Sequence, residues 1–137
     1  MGKKYVKDIM AENVLMINEN AAIAEAVKLM HEKKVSSLIV NCSGDKPFGI
    51  VTRKDIIKAL LVNGTKPGQA VSRIMSSPLI IATPNLRIKD AAALTERFKI
   101  RRLPIIAHGK LVGIVSTSDI FRHLAERMLK QTKKGKP

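Results

Sequence analysis

The stretch GIVTRKDI, residues 49–56, returns as GIVSTSDI at residues 113–120. The similarity extends well beyond these eight residues. A shift of 65 positions aligns Ile9 with Ile74, Met10 with Met75, Asn20 with Asn85, Ile23 with Ile88, Ala26 with Ala91, Val35 with Ile100 and Leu38 with Leu103. After a one-residue difference in a turn, a shift of 64 aligns Gly49 with Gly113 and Leu60 with Leu124. The chain is therefore an internal duplication.

Each copy has the same predicted order of elements. A short apolar strand is followed by an amphipathic helix, for which Asn20 or Asn85 is the expected N-cap. Two strands around a turn then form a hairpin, and a second helix begins at the hydroxyl residue of the repeated motif. In the first copy Ile23, Ala26, Val27 and Met30 share one helical face and are expected in the core.

The pattern predicts an α/β (α+β) fold of two β-α-β-β-α repeats, 1–62 and 71–129, joined by a Gly- and Pro-containing linker, 63–70. About 60 residues alone form a marginal core. We therefore expect the two copies to pack sheet to sheet with pseudo-two-fold symmetry. The last stretch, 130–137, has no apolar residue and is predicted to be a disordered basic tail.

The composition narrows the function. The chain carries a formal charge of +14 but only three Phe, one Tyr and no Trp, so few side chains can stack on nucleic-acid bases. No apolar run is long enough for a membrane helix, and nothing resembles a signal peptide, so we expect a cytoplasmic protein. His31, His108 and His123 lack metal-ligand spacing and are expected at the surface. No catalytic motif is present, which disfavours an enzyme.

Two interpretations of the repeated hydroxyl and aspartate remain open. Thr52 and Asp55 are spaced as an N-cap and an N3 acid, which is close to a capping box. The same geometry suits a nucleotide, because a helix N-terminus attracts phosphate oxygens and a carboxylate can accept hydrogen bonds from a ribose diol. Ser116 and Asp119 repeat the pattern in the second copy.

The combination of motifs resembles the CBS-domain family. The matching pieces are the openings DIM and RIM, the Ala-rich helices AIAEAVKLM and RIKDAAALT, the strand RRLPII, and the two closing motifs quoted above. Two tandem copies resemble a stand-alone Bateman module over residues 7–127. The resemblance implies two related clefts that bind AMP, ADP, ATP or another adenosine compound such as S-adenosylmethionine.

The resemblance also implies which residues bind the ligand. The ribose and phosphate positions match Thr52, Asp55, Ser116, Ser118 and Asp119. Basic residues that match or adjoin phosphate-contacting positions are Arg53, Lys54, Arg101 and Arg102. The walls of the adenine pocket match Val14, Met16, Val35, Ser36, Ser37, Leu79, Ile81 and Ile100, although core packing explains such residues equally. Neither a metal nor a required cofactor is implied.

The implied function is regulatory: an energy-sensing module that binds an adenine nucleotide and signals to a protein target in trans. The apolar helix residues Ile57, Leu61, Phe121 and Met128 indicate a homodimer. The alternative is a nucleic-acid-associated or adaptor protein that acts through its basic surface and tail. Copy one has Ser36 and Ser37 where copy two has Arg101 and Arg102, so the two sites are expected to differ in affinity.

Overall fold

The computed structural model describes residues 2–43, 48–77 and 80–135, with only the backbone described for 131–135. Contacts divide the chain into two compact units. The continuous unit is Val14–Leu79, and the composite unit combines Met1–Asn13 with Ile80–Pro137. These units are not the two sequence repeats, because the beginning of the chain packs with the second half, and residues 71–77 pack with the first.

The continuous unit is a mixed three-stranded sheet with helices. Strand β1 (Met16–Asn18) leads into α1 (Ile23–Lys33), and β2 (Ser37–Asn41) and β3 (Phe48–Thr52) follow. The strand order is β1-β2-β3, with β1 parallel to β2 and β2 antiparallel to β3, which confirms the predicted hairpin. Helix α2 (Arg53–Ile57) begins directly after β3 and continues as a π-helical turn over Lys58–Val62.

The core of this unit is aliphatic and comes from the predicted face of α1 and from β2 and β3. Ile23, Ala26 and Met30 are buried against the strands, as the helical spacing predicted. The prediction was wrong for Val27, which is 40% exposed. Val27 is one residue after Ala26 and so lies about 100° further around the helix, at the margin of the buried face.

The composite unit contains the second helix–hairpin–helix. Helix α3 (Ile88–Phe98) precedes β4 (Arg102–Ala107) and β5 (Lys110–Ser116), which pair antiparallel as predicted. His108 and Gly109 form the turn with φ of 53° and 75°, as in a two-residue hairpin loop. The first strand of this copy is represented, in the described residues, by a parallel bridge between Ala82 and Ile105.

Helix α4 (Thr117–Gly135) differs from the sequence prediction at its end. A disordered tail was predicted from residue 130, whereas the helical backbone continues to Gly135. Lys and Gln have good helix propensities and no Gly or Pro interrupts the sequence before Gly135, so the local sequence favours continuation of the helix. Residues 136 and 137 lie outside the described residues.

The predicted N-caps of α1 and α3 were wrong. Ala22 and Arg87 occupy the N-cap positions, and neither side chain caps its helix. The first amides of α1 instead donate to backbone carbonyls of the linker: Ile23 N–H to Gln69 O at 2.8 Å and Ala24 N–H to Pro67 O at 3.0 Å. Backbone groups distant in sequence therefore satisfy this helix end.

Helix α3 begins in an equivalent way, since Ile88 N–H donates to Lys4 O at 2.9 Å. Val6 N–H also donates to Leu86 O at 2.8 Å. The N-terminal segment of the first repeat is thus hydrogen-bonded to the start of α3 and the residues before it. Within the part of the chain that the structure describes, no helix is long and apolar enough to cross a membrane.

The glycine of the repeated motif allows a close approach. A Cβ at Gly49 would lie 2.6 Å from Met75 Sδ, and one at Gly113 would lie 2.5 Å from Met10 Sδ. Met10 and Met75 belong to the DIM and RIM openings, so each opening packs on the closing motif of the other sequence repeat. Isolated antiparallel bridges next to these contacts also join the opening of one repeat to the closing motif of the other. They pair Ala11 with Ile114 and Ile50 with Ser76.

Candidate functional site

The first closing motif forms a capping box at the start of α2. Asp55 N–H donates to Thr52 Oγ1 at 3.2 Å, and Thr52 N–H donates to Asp55 Oδ2 at 2.8 Å. Thr52 Oγ1–H also donates to the same Oδ2 at 2.9 Å. In the described part of the chain no donor reaches Asp55 Oδ1. One carboxylate oxygen therefore holds the helix start, and the other is available to a ligand.

The second closing motif repeats this arrangement at the start of α4. Asp119 N–H donates to Ser116 Oγ at 3.1 Å, and both the N–H and the hydroxyl of Ser116 donate to Asp119 Oδ2 at 2.9 Å. Here the second oxygen is engaged, because Arg122 Nη1 lies 3.2 Å from Asp119 Oδ1. The capping interpretation of the motif is thus confirmed in both copies, while binding of a ligand by the same groups stays a prediction.

The strands place the other predicted polar residues beside the closing motifs. Ser37 is paired with Thr52, and Arg53 N–H donates to Ser36 O at 2.9 Å. The equivalent pairs in the composite unit are Arg102 with Ser116 and Thr117 N–H to Arg101 O at 2.9 Å. Each unit therefore brings together a helix start and the residues at the start of the strand paired with the closing motif, and ligand binding by these residues stays a prediction.

The predicted phosphate-binding cations lie at the same end of the strands. Arg53 and Lys54 are exposed in the first turn of α2. Arg101 is exposed immediately before β4, and Arg102 is half-buried at its first position. Ser118 is exposed in the first turn of α4. The exposed positions are accessible to an anion from solvent, and among the four predicted cations only Arg102 belongs to a strand.

The residues predicted to form adenine pockets have mixed environments. Val35 packs against the core of the continuous unit, and Ile100 packs against that of the composite unit. Val14 is half-buried, whereas Met16 and Ile81 are exposed over 42% and 53% of their surfaces. Leu79 lies outside the described residues. Exposed apolar side chains next to the first strands are compatible with a base-binding wall, and Val35 and Ile100 also serve the core.

His123 departs from the sequence expectation of three surface histidines. It is only 9% exposed, on the face of α4 that packs against its own unit. Spacing could not reveal this burial, because His123 replaces an apolar residue in the helical pattern. Among the described residues, no group of three or more His, Cys, Asp or Glu side chains is placed to hold a metal ion.

Comparison with known proteins supports the family resemblance. The model of the CBS domain matches residues 6–62 and 71–126, which together are most of the chain. The chain belongs to the CBS-domain family. It carries two such domains in tandem, and CBS pairs are regulatory modules rather than catalytic ones.

Solved structures of CBS proteins share this fold. The hexameric CBS-CP12 protein from bloom-forming cyanobacteria has a TM-score of 0.78 at 39% identity, covering 85% of this chain and 66% of that chain. The CBS pair of the protein MJ0100, in complex with 5-methylthioadenosine and S-adenosyl-L-methionine, has a TM-score of 0.77 at 27% identity. That match covers 90% of this chain and 97% of the other.

Among curated relatives, the protein MJ1225 of Methanocaldococcus jannaschii is 34% identical over 119 residues. This match covers 87% of the present chain but 42% of MJ1225. A second relative from the same organism is covered over 32% of its length. The chain thus spans less than half of these relatives, so the similarity concerns the CBS pair and not their remaining segments.

Proposed function

We propose that this CBS pair is a regulatory module that senses an adenine nucleotide, AMP, ADP or ATP, or a related adenosine compound. The observation that carries the proposal is the paired closing motif. Each unit presents a hydroxyl, a carboxylate and the first amides of a helix at the end of a strand, beside exposed cations. The carboxylate can accept hydrogen bonds from ribose hydroxyls, and the hydroxyl, amides and cations can contact phosphate oxygens.

The MJ0100 pair supports the chemical class of the ligand, because the two compounds in its complex both contain adenosine. In the present chain the carboxylates of Asp55 and Asp119 are the groups that would accept hydrogen bonds from the ribose hydroxyls. Asp55 offers a free oxygen, whereas Asp119 must first share or lose its contact with Arg122. The first motif is therefore expected to bind more tightly.

Signalling would occur in trans, through a change in shape or oligomeric state. A ligand shifts such an equilibrium only by its differential affinity for the two states. A homodimer is the proposed assembly, because Ile57 and Leu61 on the continuous unit and Phe121 and Met128 on the composite unit are all at least half exposed. A cytoplasmic localisation stays a prediction.

Calorimetric titration of AMP, ADP, ATP and S-adenosylmethionine into the protein tests the proposal. The Asp55→Ala, Asp119→Ala double variant should lose saturable binding of AMP and S-adenosylmethionine. Glu25→Ala, Asp90→Ala is the matched control, because these residues are equivalent acids in the first turns of α1 and α3. The control should bind with unchanged affinity.

Circular dichroism must show that each variant is folded, since the aspartates also cap their helices. If the folded wild type bound none of the four compounds, the sensing proposal would be wrong. The closing motifs would then be helix caps alone. The basic surface, as in the nucleic-acid or adaptor alternative, would become the next subject of binding measurements.

A further inference from the structure

A cleft of about 680 Å³ in the composite unit is lined by neither Ser116 nor Asp119, and it reaches the second closing motif only at Ile120. It is lined by the first residues of the chain, the start of α3 and the middle of α4. Five cationic residues contribute to its walls: Lys3, Lys4, Arg87, Lys89 and Arg127. Among the described residues, no acidic side chain lines it. We name this feature the cationic cleft.

Backbone hydrogen bonds hold the cations of two segments together. The bond from Ile88 N–H to Lys4 O and the bridge between Tyr5 and Arg87 fix the N-terminal segment along the start of α3. Positive charges that repel one another are therefore placed side by side by the fold. Such an arrangement costs free energy unless an anion neutralises it.

Protein carboxylates neutralise these cations only in part, through the longer-range attraction between Asp8 and Lys3. The five cations form no ion pair within 4.0 Å in the described part of the chain, where the pairs are Lys99 with Glu96 and Arg122 with Asp119. The nearby carboxylate of Asp8 accepts the backbone N–H groups of Tyr5 at 3.1 Å and Lys4 at 3.2 Å. The hydrogen bond from Tyr5 in particular holds the pKa of Asp8 below its ordinary value.

His123 provides an independent indication of a ligand. Its side chain is more than nine-tenths buried and lines the cationic cleft. Neither ring nitrogen has a hydrogen-bond partner among the described residues. No described buried polar side-chain atom is both sealed from solvent and unpaired, so the ring nitrogens must reach open space. A buried imidazole with an open hydrogen-bonding edge is suited to contact a bound polar group.

The remaining walls define the ligand further. Ile88, Ala92, Ile120 and Leu124 line the cleft with apolar surface. The volume lies in the range of small-molecule sites and is too large for one inorganic ion alone. A molecule with an apolar or aromatic body and several phosphate groups would satisfy both kinds of wall.

We propose that the cationic cleft is a second binding site, which takes an organic polyphosphate. The lysines and arginines contact the phosphate oxygens, His123 contributes a hydrogen bond, and the apolar wall contacts the organic body. Thr52, Asp55, Ser116 and Asp119 do not line this site, although Ile120 at the end of the second closing motif does. The site is therefore distinct from the groups proposed to bind adenosine.

Calorimetric titration of inorganic triphosphate into the full chain at low salt tests this inference. Lys89→Glu, Arg127→Glu should weaken binding roughly tenfold or more, because it reverses two of the five charges. The matched control is Lys28→Glu, Lys33→Glu on the exposed face of α1, which changes the net charge equally. It should change the affinity by less than about twofold.

Two further variants locate the anion. Arg53→Glu, Lys54→Glu reverses charges at the first closing motif and should weaken triphosphate binding less than Lys89→Glu, Arg127→Glu does, because neither residue lines the cationic cleft. His123→Leu replaces the imidazole with an apolar side chain of similar size. It should weaken triphosphate binding roughly threefold, because the hydrogen bond from the ring is lost. The Asp55→Ala, Asp119→Ala double variant should bind ATP more tightly than inorganic triphosphate. The adenosine part of ATP contacts the apolar wall, which triphosphate cannot do.

The inference would be overturned if the wild type showed no saturable triphosphate binding, or if Lys28→Glu, Lys33→Glu weakened it as much as Lys89→Glu, Arg127→Glu. Loss of binding in Arg53→Glu, Lys54→Glu alone would also overturn it, and would place the phosphate at the closing motif. That last outcome would support the adenosine proposal, so the two proposals can fail separately.

Discussion

The two closing motifs have the same cap and different surroundings. The capping hydrogen bonds of Thr52 with Asp55 and of Ser116 with Asp119 agree within about 0.1 Å, although one helix is short and the other has nineteen residues. The second carboxylate oxygen separates them: that of Asp119 accepts from Arg122, and that of Asp55 has no partner among the described residues. Helix capping explains the geometry that the two motifs share. The second carboxylate oxygen can make the two motifs differ in ligand affinity.

The largest expected difference between the copies concerns the repeated glycines. A Cβ at Gly113 would lie 2.8 Å from Met10 Cγ and 3.0 Å from the backbone oxygen of Ala11. At Gly49 the corresponding distances, to Met75 Cγ and Ser76 O, are both 3.3 Å. We expect Gly113→Ala to lower the free energy of unfolding by about 2 kcal/mol and Gly49→Ala by about 1 kcal/mol.

Urea denaturation of the two single variants measures this difference. Met10→Ala combined with Gly113→Ala is the control, because the smaller side chain makes room for the new methyl group. In the Met10→Ala background, Gly113→Ala should lower the free energy of unfolding by clearly less than it does when Met10 is present. Equal costs at positions 49 and 113, or no relief by Met10→Ala, would contradict the proposed steric cause.

The contacts of these glycines show what the sequence could and could not predict. The duplication, both hairpins and the hydroxyl caps of α2 and α4 follow from local patterns, and the structure confirms them. The pairing of Met10 with Gly113 was missed because self-alignment shows which residues are equivalent, and equivalence does not show which copy a segment packs against. Only three-dimensional contacts reveal that the openings are exchanged.

Other misses have the same physical origin. Asn20 and Asn85 are good N-cap residues, yet carbonyls of Gln69, Pro67 and Lys4 satisfy the helix starts from distant parts of the chain. A propensity argument cannot anticipate such partners. The burial of His123 was missed because a polar residue in an amphipathic pattern is ordinarily assigned to the solvent side. Its open edge becomes visible only once the walls of the cationic cleft are known.

A smaller difference is expected from Arg122, whose place in copy one is taken by Lys58. Arg122→Ala should free the second oxygen of Asp119 and strengthen AMP binding at that motif roughly 1.5- to 5-fold, since an exposed ion pair contributes about 0.2–1 kcal/mol. The measurement is calorimetry in an Asp55→Ala background, so that only the second motif binds. This prediction rests on the proposed binding of adenosine compounds at the closing motifs.

Lys58→Ala, measured in an Asp119→Ala background, is the matched control. No ion pair joins Lys58 to Asp55 in the described residues, so AMP affinity at the first motif should not change. If Arg122→Ala instead weakened binding, Arg122 would be a ligand contact and not a competitor for Asp119. The ranking of the two motifs would then be reversed.

The smallest expected difference concerns pH and the residue four positions before the start of each first helix, Glu19 in copy one and Pro84 in copy two. Glu19 Oε2 accepts hydrogen bonds from the backbone N–H of Ser43 at 2.7 Å and from its hydroxyl at 3.0 Å. The backbone bond, followed by the hydroxyl bond, lowers the pKa of Glu19 below its ordinary value of 4.5. Ionised Glu19 is thus favoured in the folded state.

Because the folded pKa is the lower one, this contact contributes stability above pH 4.5, and the contribution is lost as the pH falls through the folded pKa. NMR titration should show that Ser43→Ala raises the pKa of Glu19 only part of the way, since the backbone donor remains. A return to 4.5 would mean that the hydroxyl accounts for the whole effect. Pro84 cannot ionise, so acid weakens this contact, which joins the residues following β1 and β2, in copy one alone.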